Sequence, residues 1–235
     1  MRLGHAAPIH PFWASSVRRT LACSLRLVLW NWSTRGPDRI KRLIDVTASS
    51  VAFLLAAPLF LAVAAMVKIE DGGPVLHWQK RVGRYGRVFA FPKFRSMYVD
   101  AERRLAEIAH QNQHGSGITF KMKNDPRVTR VGRVIRRFSV DEMPQLWCVL
   151  KGDMTLVGPR PALPVEVDRY TVEDRRRLEA IPGLTCTWQV GGRSDIPFPQ
   201  QCRMDIDYIE GRSLLQDLRL ILATVPAILT GRGAY

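Results

Sequence analysis

Cysteine is scarce in this chain and what there is stands scattered. Cys23, Cys148, Cys186 and Cys202 show no C-x-x-C spacing and have no histidine cluster beside them, which argues against both a zinc site and a disulfide framework. They read as reduced thiols facing the cytoplasm. Repeats and low-complexity tracts are missing, so a solenoid is not expected. A cleavable signal peptide is not expected either: Pro8, Pro11 and Trp13 precede any apolar run, and Leu21 to Trp32 is interrupted by Arg26 and too short to span a bilayer. Acidic residues are in the minority, 21 against 35 Lys and Arg, and the formal charge of +14 points to a polyanionic partner: nucleic acid, anionic lipid or nucleotide phosphates.

Charge is absent altogether from Val46 to Val67, a run of 22 residues rich in Ala, Leu and Val. That is long enough for the ~30 Å hydrocarbon core of a bilayer. A buried core helix would be expected to show a polar face, and here only Thr47, Ser49 and Ser50 near one end are polar. Both flanks are basic: Arg35, Arg39, Lys41 and Arg42 precede the run, and Lys68, Lys80, Arg81, Arg84 and Arg87 follow it. The positive-inside rule then places both ends in the cytoplasm. Pro58 sits mid-run, where its ring removes a hydrogen bond and clashes with the preceding turn. A helix that dips into the membrane, bends at Pro58 and returns satisfies both observations; a straight span would leave the basic N-terminal residues on the far side.

The 235 residues suffice for one catalytic core with a small membrane appendage. The expected division is a lead-in over residues 1 to 38, disordered or amphipathic and lying on the membrane through Trp13, Trp30 and Trp32, a re-entrant membrane helix over 39 to 70, and an α+β domain over 71 to 235. Within that domain Val75 to Lys80 and Arg87 to Phe94 read as a hairpin. Helices are expected from Val99 to His110, from Pro126 to Arg137, from a Ser139-x-x-Glu142 capping box to Leu150 with Gly152 as its stop, and over Thr171 to Ala180. Leu184 to Val190 has the look of a buried strand, and Ser213 to Leu229 of an amphipathic helix bent at Pro226.

Chemistry is suggested by Asp100 and Glu102, which follow Lys93-Phe94-Arg95-Ser96-Met97 at the expected start of a helix. A carboxylate there can attack phosphorus, and a second can hold Mg²⁺ against diphosphate oxygens. Taken alone, the pair is better explained as ordinary acidic capping of a helix N-terminus. Lys93, Arg95, Arg127, Arg136, Arg137, Arg160 and Arg193 supply cations suited to phosphate, whereas Arg103, Arg104 and Arg175 to Arg177 read as solvated surface.

The blocks KRLIDVTAS, KFRSMYVDAE, NDPRVTRVGRVIRRFSVDEMPQLWCVLKGDMTLVGPRP, PGLTCTWQVGGR and the terminal GRGAY resemble, in order and spacing, the bacterial sugar transferases of the monotopic phosphoglycosyl transferase type. The resemblance runs from about Lys41 to Tyr235. It implies a re-entrant helix broken at a proline, a small cytosolic catalytic domain resting on interfacial amphipathic helices, residence in the bacterial inner membrane with the catalytic domain towards the cytoplasm, and a two-step ping-pong reaction. Carried onto this chain, the nucleophile is Asp100 and the Mg²⁺-binding companion is Glu102, although the family's second carboxylate often follows directly and Ala101 intervenes here. Lys93, Arg95, Arg136, Arg137, Arg160 and Arg193 match basic positions near the nucleotide, and Asp141 with Glu142 is a structural or substrate-contacting pair. The implied partners are a UDP-sugar, undecaprenyl phosphate and membrane lipids, with no nucleic acid; self-association into a homo-oligomer stays open. Ile181, Cys186 and Gly191 depart from the usual pattern, while Trp188, Gln189, Gly192 and Arg193 keep it. The short form ending in G-A-Y resembles exopolysaccharide-priming enzymes that load galactose-1-phosphate or glucose-1-phosphate. Two rivals remain: a nucleic-acid binder, which leaves the charge-free run unexplained, and an inactive membrane scaffold of a polysaccharide assembly complex.

Overall fold

The structure, a computed structural model, describes residues 12–101, 103–104, 125–192 and 195–230. Its first element is a helix, α1, from Phe12 to Asp71. The chain divides into two compact units, residues 1–41 and 42–235, and the apolar part of α1 belongs to the second. Only 17% of the most apolar window between Asp38 and Asp71 is buried. A core helix would be mostly covered; this one keeps Leu54, Leu55, Leu61 and Ile69 more than 70% exposed. It is long and apolar enough to span or sit in a membrane. The helical assignment runs through Pro58 without interruption.

Near the start of the second unit, α1 is tied down by polar residues. The Arg42 guanidinium donates to the carbonyls of Val149 (2.5 Å) and Leu150 (2.8 Å). These are carbonyls of the last turn of α3, Leu146–Lys151, where the Val149 oxygen also accepts from the Gly152 amide (3.0 Å), and a cation there meets the negative end of the dipole. Asp45, 4% exposed, accepts from Thr155 Oγ1 at 2.5 Å and from the Leu156 amide at 3.1 Å. Towards the other end, Val63 and Val67 pack with Phe94 and Ile135 in a buried apolar cluster flanked by Phe60, Val75 and Val131. The part of α1 in the second unit is thus largely exposed along its middle and anchored towards both of its ends.

Two strands follow as the expected hairpin, β1 Leu76–Val82 and β2 Val88–Phe94. Their antiparallel register sets His77 opposite Lys93 and Arg81 opposite Phe89, so Arg81 and Lys93 share a face. Phe89 and Phe91 on that face join Cys148, Val149 and Met154 in a second core cluster. A second sheet pairs β3 Thr155–Val157 in parallel with β4 Gly183–Thr185. Gly158 and Gly183 permit that pairing: a Cβ on Gly183 would lie 2.1 Å from the Gly158 nitrogen. The remaining helices are α2 Arg130–Arg137, α4 Pro164–Val167, α5 Thr187–Gly191, α6 Phe198–Gly211 and α7 Leu214–Thr230. Leu215, Leu218, Leu222 and Val225 of α7 are all more than half exposed at a spacing that makes one apolar stripe. The mixed helix and strand architecture agrees with the α+β expectation.

Four local expectations need correction. α2 begins at Arg130, after Pro126, because the Thr129 hydroxyl accepts from the Gly132 amide (2.8 Å) and caps the helix there. The Ser139 to Glu142 capping box does not form: Ser139 adopts a left-handed φ of 54° and residues Val140–Gln145 make a 3₁₀ segment. Only then does α3 run, ending at Gly152 (φ 89°) as expected. Thr171 and Asp174 do exchange capping hydrogen bonds, but the helix after them is a 3₁₀ turn, Asp174–Glu179. Leu184 to Val190 is strand only to Thr185 and helix thereafter. Beyond Ala101 the helix expected over Val99 to His110 lies, apart from Arg103 and Arg104, outside the described residues.

Candidate active site

Asp100 stands at the end of a loop held on both sides by backbone hydrogen bonds. The Arg95 amide donates to Val75 O (2.9 Å), the Thr129 amide to Ser96 O (3.1 Å), and the Tyr98 amide to Arg127 O (3.0 Å). Gly132 makes the approach feasible, since a Cβ there would meet Ser96 O at 2.0 Å. Asp100 then accepts the Arg104 amide on its own carbonyl (3.1 Å) and sits at the cap of the following turn. Its carboxylate accepts from Arg104 Nε at 2.9 Å and faces Arg103 Nη2 at 3.4 Å, with about a third of the side chain (32%) still exposed. The Arg104 hydrogen bond holds its pKa below the usual carboxylate range, so Asp100 is anionic at neutral pH. It has two properties a nucleophile needs, ionisation and solvent access. Arg103 and Arg104, expected as solvated surface, are indeed 81% and 41% exposed, and they are its partners.

Beside the loop, Asp125 and Arg127 form a buried bidentate pair, with Nη2 to Oδ2 at 2.6 Å. Burial pushes the Asp125 pKa up, but the Arg127 hydrogen bonds outweigh it and leave the acid below its ordinary range. Arg136 lies within electrostatic reach of both Asp125 and Asp141 and so connects this pair to a second group of charges.

That second group brings together Lys93, Arg160, Asp141 and Glu142, all singled out from the sequence, with Arg81, which was not. Arg160 makes a bidentate pair with Glu142. Burial raises the Glu142 pKa, yet Arg160 overrides it and keeps the carboxylate below its usual range. Asp141 is only 8% exposed; burial, then the Glu142 charge, pushes it up to about 7, against the pull of Lys93, Arg136 and Arg160. Lys93 is pushed down to about 8 by burial and then by Arg81, and Arg81 down to about 10 by burial and then by Arg160. The Arg81 guanidinium lies 5.2 Å from the Phe91 ring centroid and donates to Pro161 O (3.1 Å) and Gln79 (2.8 Å). Four cations, Lys93, Arg81, Arg136 and Arg160, therefore share three carboxylates, Asp141, Glu142 and Glu166, with Asp125 already held by Arg127, and burial favours the neutral form of Asp141. The group lacks negative charge, which an anionic ligand would supply.

Not every basic candidate belongs to it. The Arg95 guanidinium is buried and paired with Asp71 at the end of α1. Arg137 is exposed and stacks on the Phe138 ring, 5.7 Å from its centroid. Pro58 lies within α1. Glu102 and Arg193 fall outside the described residues. Arg177, read from sequence as part of a solvated run, is 6% exposed and paired with Asp205, which also accepts from Trp188 Nε1 at 3.4 Å; no local signal distinguishes it from Arg175 and Arg176. Cys186 donates to Gln189 at 3.1 Å and lies within electrostatic reach of Arg160, so the PGLTCTWQ block borders the cluster. Among the described residues no three of His, Cys, Asp and Glu are grouped to hold a metal ion. Mg²⁺ needs less, because one or two carboxylates suffice when substrate phosphates complete its shell, and Asp100 is a partly exposed, ionised oxygen donor of that kind.

The bacterial sugar transferase family model matches residues 37–231. The exopolysaccharide production protein ExoY of Rhizobium meliloti is 41% identical over 198 residues, 83% of this chain and 88% of that protein. The UDP-glucose:undecaprenyl-phosphate glucose-1-phosphate transferase of Caulobacter vibrioides is 41% identical over 84% of this chain and 73% of its own length. The undecaprenyl-phosphate galactose phosphotransferase of Salmonella typhimurium is 39% identical over 87% of this chain, which spans only 44% of that protein. The galactosyl transferase CpsE of Streptococcus agalactiae is likewise spanned over 43% of its length, at 42% identity. The chain belongs to the bacterial sugar transferase family, a family of transferase enzymes.

Proposed function

We propose that this protein transfers a hexose-1-phosphate from a UDP-sugar to undecaprenyl phosphate, releasing UMP, as the priming step of exopolysaccharide or glycoconjugate synthesis. The observation that carries the reading is an ionised, partly exposed Asp100 on a loop linked through Arg127 and Arg136 to a cationic group short of negative charge. Relatives named for galactose, glucose and N-acetylgalactosamine transfer to undecaprenyl phosphate agree on the acceptor and differ on the sugar. Galactose or glucose remains the proposal here.

In the proposed reaction the Asp100 carboxylate attacks the β-phosphorus of the donor. The bond from that phosphorus to the bridging oxygen breaks, and UMP leaves with the oxygen. An oxygen of the lipid phosphate then attacks the same phosphorus, a sugar diphospholipid departs and Asp100 is restored as a carboxylate. Arg103 and Arg104 hold Asp100 before substrate arrives; incoming phosphate oxygens compete for both guanidiniums and free the carboxylate. Lys93, Arg160 and Arg136 neutralise the donor diphosphate, and Glu142 fixes the Arg160 fork. Asp100 with Glu102 would hold Mg²⁺, which supplies charge neutralisation of the diphosphate when bound.

The proposed setting is the bacterial inner membrane, with α1 re-entrant at Pro58 and the catalytic unit in the cytoplasm. The basic flanks on both sides of the run and the exposed stripe on α7 support it. Incubation of the membrane-bound protein with UDP-galactose or UDP-glucose labelled in the β-phosphate, without acceptor, tests the covalent step: label should stay on the protein at Asp100 and be released by hydroxylamine. Sugar diphospholipid formed once undecaprenyl phosphate is added, with no label ever on the protein before or after, would replace the two-step scheme by direct transfer. If neither appears with any UDP-sugar in folded protein, the inactive scaffold is the better reading.

A further inference from the structure

We infer that Glu70 and Asp71, the last two residues of α1, are positioning residues that fix the Asp100 loop relative to the membrane helix; this rests on the reading of Asp100 as nucleophile. The two carboxylates close the apolar helix and grip different elements of the catalytic unit. Glu70 Oε1 accepts from the Arg130 amide at 2.7 Å, and both its oxygens accept from the Val131 amide, at 3.3 and 3.2 Å. These are two of the four amides the first turn of α2 leaves free, and an anion there also meets the positive end of the dipole. Glu70 thus acts as a helix cap delivered from a distance of 60 residues in sequence. Asp71 pairs with the buried guanidinium of Arg95 and accepts from the Gly73 amide at 3.3 Å.

Both gripped elements lead to Asp100. Arg95 begins the loop that carries it, and the residue before α2, Thr129, donates its amide to Ser96 O in the same loop. Met97 and Val128 continue this contact as an isolated bridge, and Tyr98 closes it on Arg127. The loop is therefore held from two directions, by Asp71 through Arg95 and by Glu70 through α2. The chain around the clamp is shaped for it: Gly72 takes a left-handed φ of 71° to end the helix, and a Cβ on Gly73 would meet Arg95 Nη1 at 2.0 Å. Packing of the helix against the unit does not require the Glu70 grip. Val63, Val67, Phe94 and Ile135 already pack α1 against the unit, and an exposed acid in place of Glu70 would leave the helix as apolar as before. The acceptor's phosphate lies at the bilayer surface, so a nucleophile that must reach it needs a fixed height above the helix, and consecutive carboxylates on two separate grips provide one.

The test uses the full chain in nanodiscs, comparing wild type with Glu70→Gln and Glu70→Ala, and with Asp71→Asn. Readouts are kcat and KM for the UDP-sugar, the thermal midpoint, and amide exchange over residues 94–100. Glu70→Gln keeps an acceptor and lacks the charge; Glu70→Ala lacks both. The expected result is a graded loss of kcat, roughly threefold for Gln and tenfold or more for Ala, at a KM within about twofold of wild type. The thermal midpoint should shift by no more than about 4 °C, with faster exchange over 94–100. Asp71→Asn should lose more of both. Wild-type kcat in Glu70→Ala, or a kcat that falls only in step with the midpoint while exchange over 94–100 stays unchanged, would overturn the inference. An inactive wild type would instead count against the proposed reaction, and the exchange readout would still decide whether the clamp orders the loop.

Discussion

Replacing Arg177 by Met removes one side of the most enclosed ion pair among the described residues, and the size of the effect can be worked out beforehand. Arg177 is 6% and Asp205 is 1% exposed. The guanidinium donates through Nε to Asp205 Oδ2 (2.8 Å), and through Nη1 to Tyr170 Oη (3.0 Å). Without it Asp205 keeps only the indole N–H of Trp188 at 3.4 Å. Removing one partner of such a pair costs about 3–5 kcal/mol, and at about 2–4 °C per kcal/mol for a domain of this size the midpoint should fall by roughly 6–20 °C. The sign with pH follows from the acid left behind. Burial already raises the Asp205 pKa while Arg177 opposes that rise, so in the variant it rises further. A carboxyl whose folded pKa exceeds its unfolded one stabilises most when protonated, and loses that contribution as pH rises through the interval between the two. The deficit should therefore be smaller at pH 5.5 than at pH 7.5. Changing Asp205 to Leu together with Arg177 to Met should recover much of the loss, since no buried charge is then stranded. Differential scanning fluorimetry in one detergent at both pH values reads all three quantities. A fall below about 2 °C, or a deficit that grows on acidification, would refute the reasoning.

Two further outcomes follow from the same geometry. Gly183→Ala should abolish folding, because its Cβ would lie 2.1 Å from the Gly158 nitrogen, whereas Gly72→Ala, with φ at 71° and open space around it, should cost only about 1 kcal/mol; soluble yield after detergent extraction separates the two. Asp141→Asn removes an acid whose pKa burial pushes from the ordinary 3.8 up to about 7, so the wild type loses stability relative to the variant as pH rises through that interval and no further above it; in midpoints measured from about pH 5.5 to 8.5 the advantage of Asn should grow up to about pH 7 and then level off.

Much of this fold was legible because it depends on local pattern. The charge-free run from Val46 to Val67, the hairpin around Gly83 to Gly86 and the left-handed stop at Gly152 all carry their causes within a few residues. The errors share the opposite origin. Ser139 and Glu142 have the spacing of a capping box, but Glu142 is engaged by Arg160, 18 residues on, and a side chain committed there cannot cap. Thr187 to Gly191 left the strand for a helix because parallel pairing with β3 extends only from Gly183 to Thr185. At the site, motif position singled out Lys93, Arg160, Asp141 and Glu142, which the fold gathers into one charged cluster. It did not single out Arg81, which the hairpin register brings to the Lys93 face, nor show that Arg95 pairs with Asp71, distant by 24 residues. Charge counting reveals how many cations there are, while partner geometry decides which remain available to a ligand.

The central claim is that Asp100 is the group that takes the sugar phosphate. The most direct test is UMP release from a panel of UDP-sugars by purified protein with undecaprenyl phosphate and Mg²⁺, comparing wild type with Asp100→Asn and Glu102→Gln. UMP formed from one donor by wild type and abolished in Asp100→Asn, with Glu102→Gln retaining a trace restored by raised Mg²⁺, is the predicted result. UMP released by Asp100→Asn at the wild-type rate would contradict it and move the nucleophile elsewhere in the chain.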